Sequence, residues 1–414
     1  MKVTIIGGGV IGLCSAYYLN QLGYQVVVLD KGGFNEGASF VNAGYISPSH
    51  FLPLATPGII SKGLRWMTSS TSPFYIKPRL DLDLARWGLA FYRSASASVV
   101  ERNTPALARI LNYSRMLTVQ LKEHVGNSFL MEEKGCLMLY KNATTEKHEM
   151  ELLDDAKHYG LRAEILTSQQ VQELEPEVEV NVLGGALYHD DCHLHPGALM
   201  ETLYEYLIDH GVMIVDHAEV VDFEQKHGRI TTIHTKESKI ETDHVVLAAG
   251  TWTLELAKKL QINLLLQGGK GYSFTYSNVE NNLSYPAILV DHRCAMTPLG
   301  RALRMGGTME ISGMNSPKLP KRIEAIYDAA NLYYHNLNLP KPQIETAGFG
   351  YRPLSPDGLP YIGRVSKYPN VILAGGHAMI GLSLAAGTGK IVADLVHERK
   401  PEVDISAFRV ERFD

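Results

Sequence analysis

Residues 1–30 read MKVTIIGGGVIGLCSAYYLNQLGYQVVVLD. Val3 to Ile6 is a short apolar run rich in β-branched residues, as in a strand buried on both faces. Gly7, Gly9 and Gly12 follow at G-x-G-x-x-G spacing. Val10 to Leu22 reads as a helix, Gly23 ends it, and Gln25 to Leu29 reads as a second strand that stops at Asp30. This strand–turn–helix–strand context is what gives the glycine motif meaning. Gly7 permits the tight turn, Gly9 lets backbone approach a pyrophosphate, and Gly12 lets helix and strand pack closely. Free N–H groups at the helix start, at Val10 and Ile11, are placed to hold phosphate oxygens. Asp30, eighteen residues past Gly12, suits both ribose hydroxyls, and Lys31 beside it is a further candidate contact. The stretch predicts a dinucleotide-binding fold.

Composition bounds the rest. With 414 residues the chain has room for two or three domains, and 45% hydrophobic and 20% charged residues are ordinary globular values. A net charge of −5 argues against a nucleic-acid partner. Cys14, Cys136, Cys192 and Cys294 are far apart and form no C-x-x-C pair, which favours a reducing, cytoplasmic setting. The apolar N-terminus lacks a basic leader beyond Lys2, so it reads as nucleotide motif and not as a signal peptide. No uninterrupted apolar run reaches 18 residues, which excludes a spanning helix and leaves peripheral contact at the inner membrane face open.

Along the chain, residues 31–50 (KGGFNEGASFVNAGYISPSH) form a small, polar loop in which Ser39, Asn42, Ala43 and Gly44 are candidate cofactor contacts. Residues 51–67 suggest an irregular wall. Leu82–Arg93 and Ala106–His124 have helical periodicity, Gly135–Tyr140 reads as a strand, and Glu146–Tyr159 as a charged helix. Residues 188–195, YHDDCHLH, hold six residues of metal-ligating type, but Pro196, Gly197 and the helix after them favour a strand-to-helix junction, and no metal is expected. Val212–Val246 reads as short strands with turns at His227-Gly228 and Glu237-Ser238, and Val245–Gly250 (VVLAAG) as a buried strand reaching a cofactor at Ala249 and Gly250. Leu264–Thr308 is β-rich and predicts a second sheet, followed by a helix over Arg322–Tyr334. Residues 371–397 return to the opening theme, with strand, glycine turn and a helix rich in small residues.

The expected fold class is α/β: a Rossmann-like domain built from residues 1–80, 135–260 and 345–414, carrying an inserted substrate domain of sheet and helices from 81–134 and 261–344. Glycine-rich approaches at 7–12, 37–44 and 375–389 fit one extended ligand with a large tricyclic ring better than a nicotinamide. A helix starting near Met379–Leu382 would aim its positive end at a ring that becomes anionic on reduction. The ligand expected is FAD, with Gly376, Gly381, Leu382 and Ser383 at the ring.

These residues carry a resemblance. VTIIGGGVIGLCSAYYL, ASFVNAGYISPSHFLPLATPG, VVLAAGTWT, KGYSFT, MTPLGRALRMGGTMEI, GYRPLSPDGLPYIG and GGHAMIGLSLAAGTGKIVADL span the chain. The chain resembles the D-amino acid oxidase (DAO) superfamily of FAD amine oxidoreductases, in particular its bacterial D-amino acid dehydrogenase branch. The resemblance implies oxidation of an amine carbon by hydride transfer to flavin. It implies that Arg352, in the G-x-R-P position, clamps a substrate carboxylate, for which a guanidinium fork is the matching shape. Tyr272 is expected to cover the pocket or bond the carboxylate, His50 to tune substrate choice, and His377 to touch ring or substrate. Some relatives attach flavin to a cysteine just before the G-x-R-P region; none lies beyond Cys294 here, so FAD is expected to be non-covalent. The expected substrate is a D-amino acid or a cyclic imino acid such as D-proline or D-hydroxyproline, with a quinone or other carrier as acceptor. The competing readings are an oxygen-using glycine or sarcosine type oxidase, and a flavin subunit of a larger electron-relay complex. A homo- or hetero-oligomer remains open.

Overall fold

A computed structural model describes residues 1–33, 35–59, 72 and 74–414. Residues 60–67 of the irregular wall expected over 51–67 lie outside the described residues.

Two sheets face each other across the molecule. The first has six strands, in the order Tyr361–Val365, Tyr368–Gly375, His244–Leu247, Lys2–Ile6, Gln25–Leu29 and Met213–Val215. All pairs are parallel except the antiparallel edge at Tyr361–Val365. Val3, Ile5, Val28, Val246 and Ile372 are fully covered, as expected where helices lie on both faces. The helix Val10–Gln21 packs against Ala385–Val396. A methyl at Gly389 would stand 2.6 Å from the Cys14 carbonyl carbon, and one at Gly387 would stand 2.8 Å from Ser114 Cβ. That is why the C-terminal helix is rich in small residues.

The second sheet has nine strands. Its main path runs Gly348–Leu354, Gln267–Tyr276, Ala302–Ile311, Cys294–Leu299, Ala287–Leu289, Cys136–Tyr140, Gly184–Tyr188 and Ala163–Thr167, with Phe74–Ile76 beside Ala302–Ile311. A three-stranded antiparallel sheet (Val220–Lys226, Arg229–Thr235, Lys239–Glu241) is tied on by Asn370, which bonds Ile230 on both its N–H and its carbonyl.

The sheets divide the chain differently from the expected domain boundaries. Strands within 135–260 and 345–414, assigned above to the nucleotide domain, sit in the nine-stranded sheet. The helix Ala97–Val125, assigned above to the substrate domain, packs on the C-terminal helix, with Gly387 N–H donating to Ser114 Oγ at 3.0 Å. Short strands announce their period but not their neighbours, so local pattern could not allot them. That helix also starts before the expected Ala106 and runs through Pro105, which removes one internal hydrogen bond without ending it. Among the described residues no helix is long and apolar enough to cross a membrane.

Candidate active site

A cavity of about 1470 Å³ lies between the two sheets, and the ends of both main strand sets open into it. One end is made of main chain. Gly7 has φ of 115°, and a Cβ there would meet the Ala248 carbonyl oxygen at 2.4 Å. A Cβ at Gly12 would lie 1.9 Å from the Gly7 carbonyl oxygen, so helix and strand touch at that point. The first helix has no side-chain cap at Gly9; instead Val10 N–H donates to Ser39 Oγ at 3.0 Å, across the cavity wall. Asp30 accepts from Gly8 N–H at 2.6 Å and from Gly32 N–H at 2.8 Å, which fixes the carboxylate at the end of its strand. Lys31 lies 3.6 Å from the Trp252 ring centre.

Of the residues expected at the cofactor, Gly7, Gly9, Val10, Ile11, Asp30, Lys31, Ser39, Asn42, Ala43, Ala249, Gly250, Gly381, Leu382 and Ser383 line this cavity. Gly12, Gly44 and Gly376 do not; they pack against Gly7, the Leu194 carbonyl and the Tyr361 ring. Asn42 Oδ1 accepts from Gly44 N–H. Ser383 Oγ donates to the Tyr45 carbonyl and accepts from Ser47 N–H, each at 3.0 Å, so this hydroxyl braces the 45–47 loop. Residues 218–220 also line the cavity, held to Asp30 because Ala218 N–H donates to the Asp30 carbonyl at 2.6 Å. Sequence reading missed them, since only the pairing of Gln25–Leu29 with Met213–Val215 brings them there.

The other end is made of side chains. Arg352 stands on Gly348–Leu354, opposite Gly269 of Gln267–Tyr276. Its guanidinium crosses Gly271, where a Cβ would lie 2.0 Å from Nη1. Nη1 donates to the Thr308 carbonyl at 2.8 Å. Among the described residues no carboxylate pairs with it, and burial pushes its pKa down to about 10. Thr308 explains the carbonyl's aim. Register slips between the pairs Lys270↔Glu310 and Tyr272↔Gly307, and Thr308 sits at φ 57°, a left-handed conformation that strains a β-branched residue. Such strain costs roughly 1–3 kcal/mol and gathers at functional sites.

Tyr272 lines the cavity with its ring, but its hydroxyl donates to Glu310 Oε1 at 3.0 Å and accepts from Leu319 N–H at 3.0 Å. Glu310 is fully buried and also meets Lys270 Nζ at 3.3 Å and Arg322 Nε at 3.7 Å. The Tyr272 hydroxyl is therefore engaged below the cavity floor. His377 Nε2 is 3.0 Å from Thr388 Oγ1, and burial lowers its pKa to about 3. Burial, aided by the Arg293 charge, lowers that of His50 to about 4. Both line the cavity as neutral rings. Glu149 and Arg293 complete this wall and were not singled out in the sequence; burial raises the Glu149 carboxyl to about 7.

The side chains of the YHDDCHLH stretch disperse. His189 meets Glu164, Asp190 pairs with Arg162, and Asp191 accepts from Ser49 N–H and Oγ. His195 caps the helix Pro196–Asp209 by accepting from Ala198 N–H.

Glycine closure, the ribose-type carboxylate and the length of the cavity suit an extended dinucleotide with a flat ring, and known proteins agree. A family model described as DAO, FAD dependent oxidoreductase, matches residues 2–395. The chain is 30% identical over 420 residues to a D-amino acid dehydrogenase of Granulibacter bethesdensis, covering 100% of both chains. It is 32% identical over 410 residues to one of Helicobacter pylori, covering 98% of each. In fold it matches glycine oxidase from Geobacillus kaustophilus with a TM-score of 0.79 at 21% identity, covering 100% of this chain and 98% of that one. L-proline dehydrogenase from P. horikoshii gives 0.78 at 17%, covering 100% and 97%. FAD is the cofactor this cavity takes, and by its whole-length match the chain belongs to the DAO family of FAD-dependent oxidoreductases.

Proposed function

We propose that the protein oxidises a D-amino acid, or a cyclic imino acid such as D-proline or D-hydroxyproline, at Cα. The observation that carries the reading is Arg352: a half-buried guanidinium, facing the cavity, with a carbonyl on one side and no described carboxylate as partner. A cation partly withdrawn from water without a counter-charge is left poorly compensated, and a substrate carboxylate supplies the counter-charge in bidentate form. Whole-length similarity to proteins named D-amino acid dehydrogenase supports the same substrate class.

Bound FAD supplies the two-electron acceptor for the hydride that leaves Cα. The chain's task is positioning. Arg352 holds the carboxylate and so fixes the Cα–H direction. The substrate amine enters neutral, and its lone pair becomes the second C–N bond as the hydride departs. The product is a cyclic imine, or an imino acid that water converts to an oxo acid and ammonia. His50 and His377, kept uncharged by burial, add no further cation to the cavity that Arg352 lines. The two electrons pass on to a quinone or another carrier. Cys294 is buried with its thiol turned to the His292 carbonyl, in keeping with FAD held without a covalent bond.

The test is a panel of D-, L- and N-methyl amino acids and D-proline with a dye acceptor under argon, run beside a peroxide assay in air. Dye reduction by D-substrates with little peroxide is expected. Exclusive turnover of L-substrates, or peroxide matching substrate loss, overturns the reading. Acid precipitation should free the flavin; flavin left in the pellet would refute non-covalent binding.

A further inference from the structure

A second cleft, of about 1000 Å³, lies apart from the catalytic cavity and shares no lining residue with it. Six arginines line it: Arg86, Arg93, Arg102, Arg109, Arg409 and Arg412. Only two carboxylates, Asp357 and Asp404, stand among its lining residues.

The arrangement follows from the sequence. Arg86 and Arg93 are seven apart on the helix Leu82–Ser94, and Arg102 and Arg109 are seven apart on the next helix, Ala97–Val125. At 3.6 residues per turn, positions seven apart share a face. A two-residue turn joins the helices, so two arginine rows meet in one cleft. The C-terminal segment brings Arg409 and Arg412 to the same place.

The carboxylates do not neutralise the set. Asp357 is taken by Arg412 in a two-pronged pair at 2.8 and 2.9 Å. Arg412 is further fixed by the Leu359 and Arg409 carbonyls and lies 3.8 Å from the Tyr361 ring centre. Asp404 accepts from Ser406 N–H and Oγ, beside Arg109 and Lys400, whose charges help hold its pKa low. Arg86 donates to Asn263, Arg102 to Asn103 and Arg109 to the Pro105 carbonyl, all neutral acceptors. Among the described residues the Arg93 and Arg409 side chains have no hydrogen-bond or ion-pair partner. Arg86, Arg93, Arg102, Arg109 and Arg409 are exposed, so the cleft presents a concentrated positive potential to solvent on a chain whose net charge is −5.

We propose that this cleft binds a multivalent phosphoryl oxyanion. Planar guanidiniums converging from three segments match several phosphoryl oxygens at once, and Arg412 forms the pre-set floor. The helix Leu82–Ser94 is the partition between the two chambers: Trp87, Gly88, Phe91 and Tyr92 line the catalytic cavity, whereas Arg86, Leu89, Ala90 and Arg93 line the cleft. This site is independent of the substrate reading.

The test uses the FAD-loaded protein in 50 mM NaCl. Inorganic pyrophosphate is titrated by calorimetry, and vesicles of phosphatidylcholine with or without phosphatidylglycerol are sedimented with the protein. Saturable binding of pyrophosphate identifies a soluble ligand; binding only to phosphatidylglycerol vesicles identifies a lipid headgroup. In either case Arg93→Glu with Arg409→Glu should weaken binding at least tenfold. Lys147→Glu with Lys226→Glu, the same change of net charge on remote exposed sites, should stay within twofold. Both variants should keep full flavin content and basal turnover. Neither probe binding at millimolar phosphate, or equal loss in the two variants, or no loss in the arginine variant, overturns the proposal.

Discussion

The two ends of the catalytic cavity are built on opposite plans. At the nucleotide end the ligand would meet mostly main chain: Gly7 to Ile11, the Asp30 strand end and Ala249–Gly250. The decisive contacts are between residues close in sequence or on adjacent strands. At the substrate end it would meet side chains delivered by separate strands of the other sheet, with Arg352 set between Gly271 and Thr308. The first plan yields an invariant grip on a constant ligand. The second lets small changes of side chain alter what is bound while the grip stays intact.

The plans separate under mutation. The largest effect is expected at Gly12→Ala, whose methyl has only 1.9 Å before the Gly7 carbonyl oxygen. Strand and helix must part, and the variant should purify without flavin or fail to accumulate; full flavin by absorbance would contradict the close packing. Next is Gly271→Ala. Its methyl collides with the end of a flexible side chain, so the fold and flavin should survive while Arg352 is displaced. KM for the amino acid should rise more than tenfold, a shift of about 1.4 kcal/mol or more. Loss of flavin instead would merge the two ends.

Asp30→Ala should show the reverse pattern. FAD affinity falls several-fold, measured by titrating the apoprotein, and KM of the reloaded protein is unchanged. Normal flavin affinity with a raised KM would place Asp30 at the wrong end.

The smallest effect concerns pH. Burial disfavours the imidazolium forms, so His50 and His377 titrate near 4 and 3, below the ordinary 6.5, and stay neutral from pH 5 upward. His50→Gln should therefore leave the shape of the kcat/KM profile between pH 5.5 and 8 unaltered, whatever it does to substrate preference. A limb near 6.5 that vanishes in this variant would show that the ring charges during turnover.

The same contrast decides what could be read in advance. The glycine turn, Asp30, the strands at both chain ends and the small-residue helix are legible because spacing within some thirty residues specifies them. Arg352 was legible only through its G-x-R-P setting. What positions its guanidinium was not: Gly271 is needed because a guanidinium from another strand crosses it, and the Thr308 bulge appears only when Ala302–Ile311 pairs with Gln267–Tyr276. Tyr272 looked like a pocket hydroxyl, and nothing local announced that Glu310 would engage it. Cys136–Tyr140 was visible as a strand, yet which sheet it joins depends on partners more than a hundred residues away, such as Ala287–Leu289.

The central claim is that Arg352 recognises a carboxylate independently of the cofactor grip. It is tested most directly by comparing kcat/KM for the preferred amino acid and for its amide, in the native protein and in Arg352→Gln, at equal FAD content. A two-pronged charged pair contributes about 3 kcal/mol, so the native protein should favour the acid by about 100-fold. In Arg352→Gln that preference should shrink to within about threefold, the remainder allowed by a neutral hydrogen bond. Undiminished preference for the acid in the fully flavinated variant would contradict the account.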